Sequence, residues 1–356
     1  MRERNVVSGN GHDHGRTALV QRRIAIHVVA VVGAGSWGTA LAVHLARIGH
    51  EVRLWGRDAA LVADMSSGRA NDVYLPGVTF PASLNVGHSL ADVLDGIGIV
   101  VFAVPSHGLR RVVADAAPHL PASALVVSAV KGLEEGSLLR MSEVLAAELP
   151  AGREVVVMSG PSFAAELARE LPTAVVVASA SADAVGRVQQ EFRSGSLRLY
   201  GSADLVGVEI GGALKNVIPI AAGVVEGLGL GHNALAALIT RGLAEITRLA
   251  CAAGAQRETT AGLSGLGDLV LTCTGSLSRN RHVGIELAHG RRLADVLAGM
   301  KMIAEGVNTT NAALALGARH GVELPIATQM AAVLAGESDV RTAVEVLMLR
   351  RQRAEN

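Results

Sequence analysis

Aromatic side chains are nearly missing from this sequence: 2% of 356 residues, as two Trp, two Tyr and four Phe. That scarcity argues against a nucleic-acid surface built on base stacking, since successive bases need aromatic platforms. Ala, Val, Leu and Gly must build the core instead, and small residues can still pack densely. No sign of charge is in excess either, because 32 Lys and Arg balance 32 Asp and Glu. A neutral chain has no global pull toward nucleic acid or an anionic membrane, so any charge that grips a phosphate must be local. Only two cysteines occur, Cys251 and Cys273. They are too few for a disulfide framework and suggest no metal site; both read as buried, reduced thiols.

Long uninterrupted apolar runs are also lacking. Residues 24–46 come closest, but His27, Gly33, Gly35, Ser36, Gly38 and His44 break them, so no membrane span is expected. Arg22 and Arg23 lead directly into this run and do not read as a secretory signal. Residues 1–23 read as a polar, disordered extension, with His12-Asp13-His14 part of a solvated tail.

What the sequence does have is alternation. β-Branched runs at 24–32, 51–55, 97–103, 125–130, 155–158, 173–178 and 196–200 read as strands, with helical segments between most of them. Such alternation predicts an α/β fold: a Rossmann-type doubly wound parallel sheet over 24–203. From Asp204 the pattern changes to long Ala/Leu/Gly-rich helical stretches, predicting an all-helical second domain over 204–350.

Gly33-Ala34-Gly35-Ser36-Trp37-Gly38 follows the first strand and opens a helix, the context a dinucleotide fingerprint requires. Gly33 permits the tight turn, Gly35 lets a pyrophosphate approach the backbone, and Gly38 allows close helix–strand packing. About twenty residues on, where an acid would grip the 2′-hydroxyl of NAD, stand Gly56 and Arg57. A guanidinium there suits a 2′-phosphate, which favours NADP(H) while leaving NAD(H) open. The alternative is an exposed Arg57 with Asp58 serving the ribose.

Ligands of open α/β sheets bind at the carboxyl ends of strands. Those ends collect Pro105-Ser106-His107, Lys131-Gly132 and Ser159-Gly160-Pro161-Ser162. Lys131 could polarise a carbonyl or bind phosphate, or be a solvated lysine. Gly160 and Ser162 read as a tight turn at a helix N-terminus, either a ligand cradle or an ordinary cap. His107 has no evident partner. In the second domain Lys215 interrupts a strongly apolar helix, where desolvation should depress its pKa and let it exchange a proton near neutrality. Gly211 and Gly212 beside it would let the cofactor domain come close. Asp268 offers a carboxylate that could orient a lysine, and Arg279 beside Asn280 offers a bidentate phosphate grip.

Seven segments in order then resemble the bacterial NAD(P)-dependent glycerol-3-phosphate dehydrogenases. They are Gly-Ala-Gly-Ser-Trp-Gly-Thr-Ala-Leu at 33–41, Lys-Gly-Leu-Glu at 131–134, Ser-Gly-Pro-Ser-Phe-Ala at 159–164, Leu-Lys-Asn at 214–216, Gly-Leu-Gly-Asp-Leu at 265–269, Ser-Arg-Asn at 278–280 and Ala-Glu-Gly at 304–306. The likeness runs from about Val28 to the last helices. It implies reversible reduction of dihydroxyacetone phosphate to sn-glycerol 3-phosphate for phospholipid synthesis, by a cytoplasmic homodimer. It also implies Lys215 as the acid/base, with Lys131 and Asp268 lining the same site. Gly160, Ser162, Asn216, Ser278, Arg279 and Asn280 fall at substrate-binding positions. Gly33, Gly35, Ser36, Trp37, Gly38, Arg57, Lys131, Ala164, Arg279, Ile303 and Glu305 fall at cofactor-binding ones.

Pro219 departs from the resemblance, which has a helix-compatible residue such as Ala there. In a continuous helix its missing N–H and its ring would disturb the carbonyl of Lys215, at about 3 kcal/mol if uncompensated. A kink or widened turn that re-aims Lys215 is expected. Two other functions fit the residues less well. A hydroxyacid dehydrogenase of the 6-phosphogluconate or hydroxyisobutyrate type shares the helical lysine near an asparagine, and a silent NADPH-binding protein would keep the glycines alone.

Overall fold

The computed structural model describes residues 27–300 and 304–351. The expected N-terminal extension, with its His-Asp-His cluster, and Ile303 lie outside the described residues. Ten strands occur: β1 (Val28–Val32), β2 (Glu51–Trp55), β3 (Ala70–Asn71), β4 (Leu75–Thr79), β5 (Leu84–Gly87), β6 (Ile99–Phe102), β7 (Leu125–Ser128), β8 (Val155–Ser159), β9 (Thr173–Ala178) and β10 (Leu197–Ser202). Eight of them form one sheet in the order β10-β9-β8-β7-β6-β1-β2-β5. From β5 to β8 every neighbouring pair is parallel. The strand order reverses between β1 and β6, which places the ligand crevice at their carboxyl ends.

The sheet is buried on both faces. Alternate residues feed opposite cores: Val29 and Val31 pack in one cluster, Ala30 and Val32 in the other. Burial on two sides is why β6 is apolar throughout and β7 up to its last residue, Ser128. One pairing departs from the expected parallel sheet. β8 meets β9 antiparallel, with Ser159 opposite Val176, and β10 then runs parallel to β9. Antiparallel neighbours have adjacent ends and need no crossover, so segment 160–172 stays at the carboxyl end of β8 with its Gly-Pro-Ser turn. The sequence reading also lacked β5 and the β3–β4 hairpin.

No strand occurs among the described residues after Ser202, as expected. A separate core joins the helices, through Ile210, Leu214, Ile218, Leu249, Leu269 and Val283. Glycine lets two of these helices cross closely. A Cβ on Gly223 would stand 2.0 Å from the Arg281 carbonyl oxygen, and one on Gly284 would stand 1.9 Å from that of Ile220. The helices Ile218–Gly227 and Arg279–Ala288 are therefore in backbone contact. The stretch Leu205–Gly227 has the length and apolarity of a membrane span, but 94% of its most apolar 18 residues are buried inside the protein.

That stretch is two helices. The first, Leu205–Leu214, ends before Lys215; the second, Ile218–Gly227, carries Pro219 in its first turn. A first-turn proline loses no intrahelical hydrogen bond, so the helix-interior penalty does not arise. The interruption expected at Lys215 is present, but it is a tightened turn rather than a widened one. Asn216 N–H donates to Ala213 O at 3.3 Å and Val217 N–H to Leu214 O at 3.2 Å, both three residues back.

Candidate active site

Three segments converge where the sheet meets the helices. Lys131 follows β7, Lys215 stands at the end of the helix Leu205–Leu214, and Asp268 opens the helix Asp268–Thr274. Lys131 Nζ donates to Asp268 Oδ2 at 2.6 Å and Lys215 Nζ to Oδ1 of the same carboxylate at 3.0 Å. Lys215 Nζ also donates to Thr272 Oγ1 at 2.8 Å, and Lys131 Nζ to the Gly160 carbonyl at 2.9 Å. Asp268 is 1% exposed, so two ammonium groups share one carboxylate with almost no water. Burial pushes the Lys215 amine down to about 8; the Asp268 charge opposes this and Lys131 adds to it. Burial alone would raise the Asp268 carboxyl, but the two lysines outweigh it and hold it below the ordinary carboxylate range.

Gly212 makes this meeting possible. A Cβ on it would stand 2.3 Å from Ser159 Oγ, at the end of β8. Gly211 does otherwise than expected and faces the Ser264 carbonyl within the helical region, at 3.1 Å from a built Cβ. Gly160 has φ +138, a conformation that side chains disfavour. Ser162 is not the helix cap allowed for it, since Phe163 occupies the N-cap position of Ala164–Ala168. Its hydroxyl instead donates back to Gly160 O at 2.9 Å, next to Lys131.

The predicted phosphate residues gather one helix away. Ser278 caps the helix Arg279–Ala288 by accepting from Arg281 N–H. Asn280 donates to Asn216 Oδ1 at 3.1 Å and accepts from Gly306 N–H at 3.0 Å, tying three segments together. Arg279, at the first helical position, is solvent-accessible. Protein nevertheless surrounds its guanidinium enough to lower its pKa, with Glu305 opposing the shift.

The glycine loop lies at the switch point. Gly33 has φ +125, and a Cβ there would stand 2.5 Å from the Ala103 carbonyl oxygen after β6. A Cβ on Gly38 would collide with the Gly33 carbonyl at 1.9 Å, so this glycine packs the helix Ser36–Arg47 onto its turn. Gly35 faces open space, with nothing within 4 Å of a built Cβ, and as N-cap it offers the helix no capping side chain. Open space before a helix N-terminus that lacks a side-chain cap fits a dinucleotide pyrophosphate. Ser36 begins that helix, and Trp37 packs half-buried against the sheet core. Arg57 is exposed, while Asp58 accepts from Ala60 N–H and Leu61 N–H as the next helix's cap. Ala164 starts its short helix against the same core, and Glu305 accepts from Ser106 Oγ at 2.9 Å.

Sequence profiles of the NAD-dependent glycerol-3-phosphate dehydrogenase N-terminus and C-terminus match residues 28–185 and 204–345. The chain belongs to this family. Glycerol-3-phosphate dehydrogenase [NAD(P)+] of Koribacter versatilis is 53% identical over 277 residues, 77% of this chain and 82% of that protein. Its counterpart in Myxococcus xanthus is 52% identical over 274 residues, 76% of this chain and 82% of that protein. The crystal structure of glycerol-3-phosphate dehydrogenase from Coxiella burnetii superposes with a TM-score of 0.88 at 40% identity, covering 91% of this chain and 99% of that one. Like the other dehydrogenases of its family, the chain is an oxidoreductase that uses a nicotinamide cofactor.

Within this family member, three site contacts escaped the sequence reading. Thr272 holds Lys215 from one turn beyond Asp268, and the Asp-x-x-x-Thr spacing on a helix was its available signal. Ser106 reaches Glu305 across 199 positions, and Asn71 reaches the glycine loop from the hairpin; neither has a local signature. His107 is exposed. Both cysteines are free, but only Cys273 is buried, its thiol pushed up to about 12 by desolvation; Cys251 is exposed, contrary to expectation. A cavity of about 380 Å³ lies away from these residues, lined by Leu314, Leu324, Leu347 and neighbours. None of the candidate site residues borders it.

Proposed function

We propose that this chain reduces dihydroxyacetone phosphate to sn-glycerol 3-phosphate, reversibly, consuming one NAD(P)H and one proton. The Lys131–Asp268–Lys215 cluster carries this reading. It holds a desolvated amine with a pKa of about 8 at the joint between the sheet and the helices. When bound, the reduced nicotinamide supplies hydride to the carbonyl carbon. Lys215 gives its proton to the carbonyl oxygen as negative charge develops there. Asp268 keeps both ammonium groups in place, and Lys131 directs its positive charge at the same oxygen. Gly160, Ser162, Asn216, Ser278, Arg279 and Asn280 hold the substrate, with the Arg279 guanidinium gripping the phosphate.

On the cofactor side, Gly33, Gly35 and Gly38 shape the pyrophosphate cradle. Ser36, Trp37, Arg57, Lys131, Ala164, Arg279, Ile303 and Glu305 are the other cofactor-binding residues. NADP(H) is favoured over NAD(H): Asp58 is engaged as a helix cap, whereas Arg57 is exposed and open to a 2′-phosphate. We divide the chain into a dinucleotide domain over 24–203 and a substrate and dimerisation domain over 204–350. The working form is a cytoplasmic homodimer whose product feeds phospholipid synthesis.

The test is oxidation of NADPH and of NADH by the purified protein with dihydroxyacetone phosphate, set beside hydroxyacid oxidation with NADP+ and NAD+. Turnover specific to the phosphorylated ketone is expected. Oxidation driven only by hydroxyacid substrates would overturn the reading.

A further inference from the structure

Asn71 is wholly buried, yet it belongs to an exposed two-stranded hairpin beside the cofactor loop rather than to the sheet. Its amide nitrogen donates to Ala34 O at 2.9 Å and to Thr39 Oγ1 at 2.9 Å. Its carbonyl oxygen accepts from Tyr74 N–H at 3.1 Å, which closes the hairpin on itself. Thr39 is also wholly buried, and its N–H donates to Gly35 O at 2.9 Å. Both peptide planes flanking Gly35 are thus held by their carbonyls: 34–35 by Asn71, 35–36 by Thr39.

A trans peptide points its N–H opposite its C=O, and no cis peptide occurs among the described residues. Fixing the Ala34 carbonyl toward Asn71 therefore turns the Gly35 N–H to the other side. Fixing the Gly35 carbonyl into the helix sets the Ser36 N–H likewise. Glycine leaves these planes free to rotate, so something outside the loop has to hold them. A carboxamide meets the requirement: it donates two hydrogen bonds in a fixed fork while its oxygen anchors the hairpin.

We propose that Asn71 is a positioning residue for the dinucleotide pyrophosphate, presetting the loop N–H groups before the cofactor arrives. The hairpin is the brace that carries it. This rests on the cofactor reading of the glycine loop.

Binding is measured by calorimetry for NADP+ and its fragment adenosine 2′-phosphate, and in parallel for NAD+ and adenosine. The wild type comes first, since no dinucleotide binding there refutes the cofactor reading itself rather than the role of Asn71. Asn71→Asp keeps the size but puts an acceptor against the Ala34 oxygen. It should weaken the dinucleotide about tenfold, the worth of one buried hydrogen bond and its unpaired partner, and leave the fragment within about twofold. Thr39→Val, which needs no new charge in the core, should show the same selectivity at about threefold and serves if the first variant does not fold. Equal weakening of dinucleotide and fragment, or none in either, overturns the proposal.

Discussion

At the glycine loop the protein works by leaving side chains out, whereas at the lysine pair it works by burying them. Gly33 and Gly38 are required because a Cβ would strike a carbonyl oxygen 2.5 Å or 1.9 Å away, and Gly35 opens onto empty space. The chemistry there is the backbone's own N–H groups and the helix dipole. At the lysine pair, Asp268 and Lys215 bury their charges almost completely, and the half-buried Lys131 joins them. Such a cluster is costly to desolvate and tolerates no missing member. The contrast teaches where each half should fail. The loop should lose affinity in small steps, and the charge cluster should lose turnover abruptly.

Removing the proposed proton donor is the strongest way to sharpen that contrast. Lys215→Met should lower kcat for dihydroxyacetone phosphate by about 10²–10⁴-fold, with dinucleotide affinity nearly unchanged. An equal fall in affinity would erase the distinction between the two halves. The same lysine sets a pH signature. With Lys215 as the proposed donor, reduction needs it protonated, so kcat/KM should fall as pH rises through about 8, while oxidation of glycerol phosphate should rise over the same range. Pre-steady-state rates in both directions check the sign.

Asp268→Asn comes next. It leaves the buried Lys215 and the half-buried Lys131 without their carboxylate, which should cost about 3–5 kcal/mol and lower both Tm and kcat. A variant with unchanged Tm would mean that the cluster is better hydrated than its burial indicates. On the loop side, Arg57→Ala should raise KM for NADPH about tenfold and leave KM for NADH almost unmoved. Equal effects on both cofactors would remove Arg57 from the 2′-phosphate. The smallest change is expected at Pro219→Ala, under about 1 kcal/mol by thermal unfolding, because first-turn helical φ already suits proline.

The same contrast governs what the amino-acid order reveals. A glycine fingerprint is local: Gly33 and Gly38 follow from contacts within the turn or with the neighbouring strand, and Gly35 from the open space before the helix, so the loop was legible. Lys215 was legible as an anomaly of polarity within an apolar helix. Its partnership with Lys131 came only through the family resemblance, because Asp268 joins them from 53 and 137 positions away. β3 spans only Ala70–Asn71, and β4 holds Pro76 and Gly77 with little burial, so neither shows the alternation that marks a strand. With the hairpin missed, Asn71 was missed too. The antiparallel seam at β9 was hidden because a buried β-branched run reads alike in either direction.

The glycine crossing of Ile218–Gly227 and Arg279–Ala288 has a consequence for which substrates fit. With backbone against backbone at Gly223 and Gly284, the two helices have no side-chain layer to slide on. Lys215 stands just before one of them and Arg279 begins the other. The proposed proton donor and phosphate anchor are thus set at a fixed spacing, as the jaws of a caliper are. Jaws fixed in this way select by length, so a ketose phosphate one carbon longer should be turned over more slowly than dihydroxyacetone phosphate.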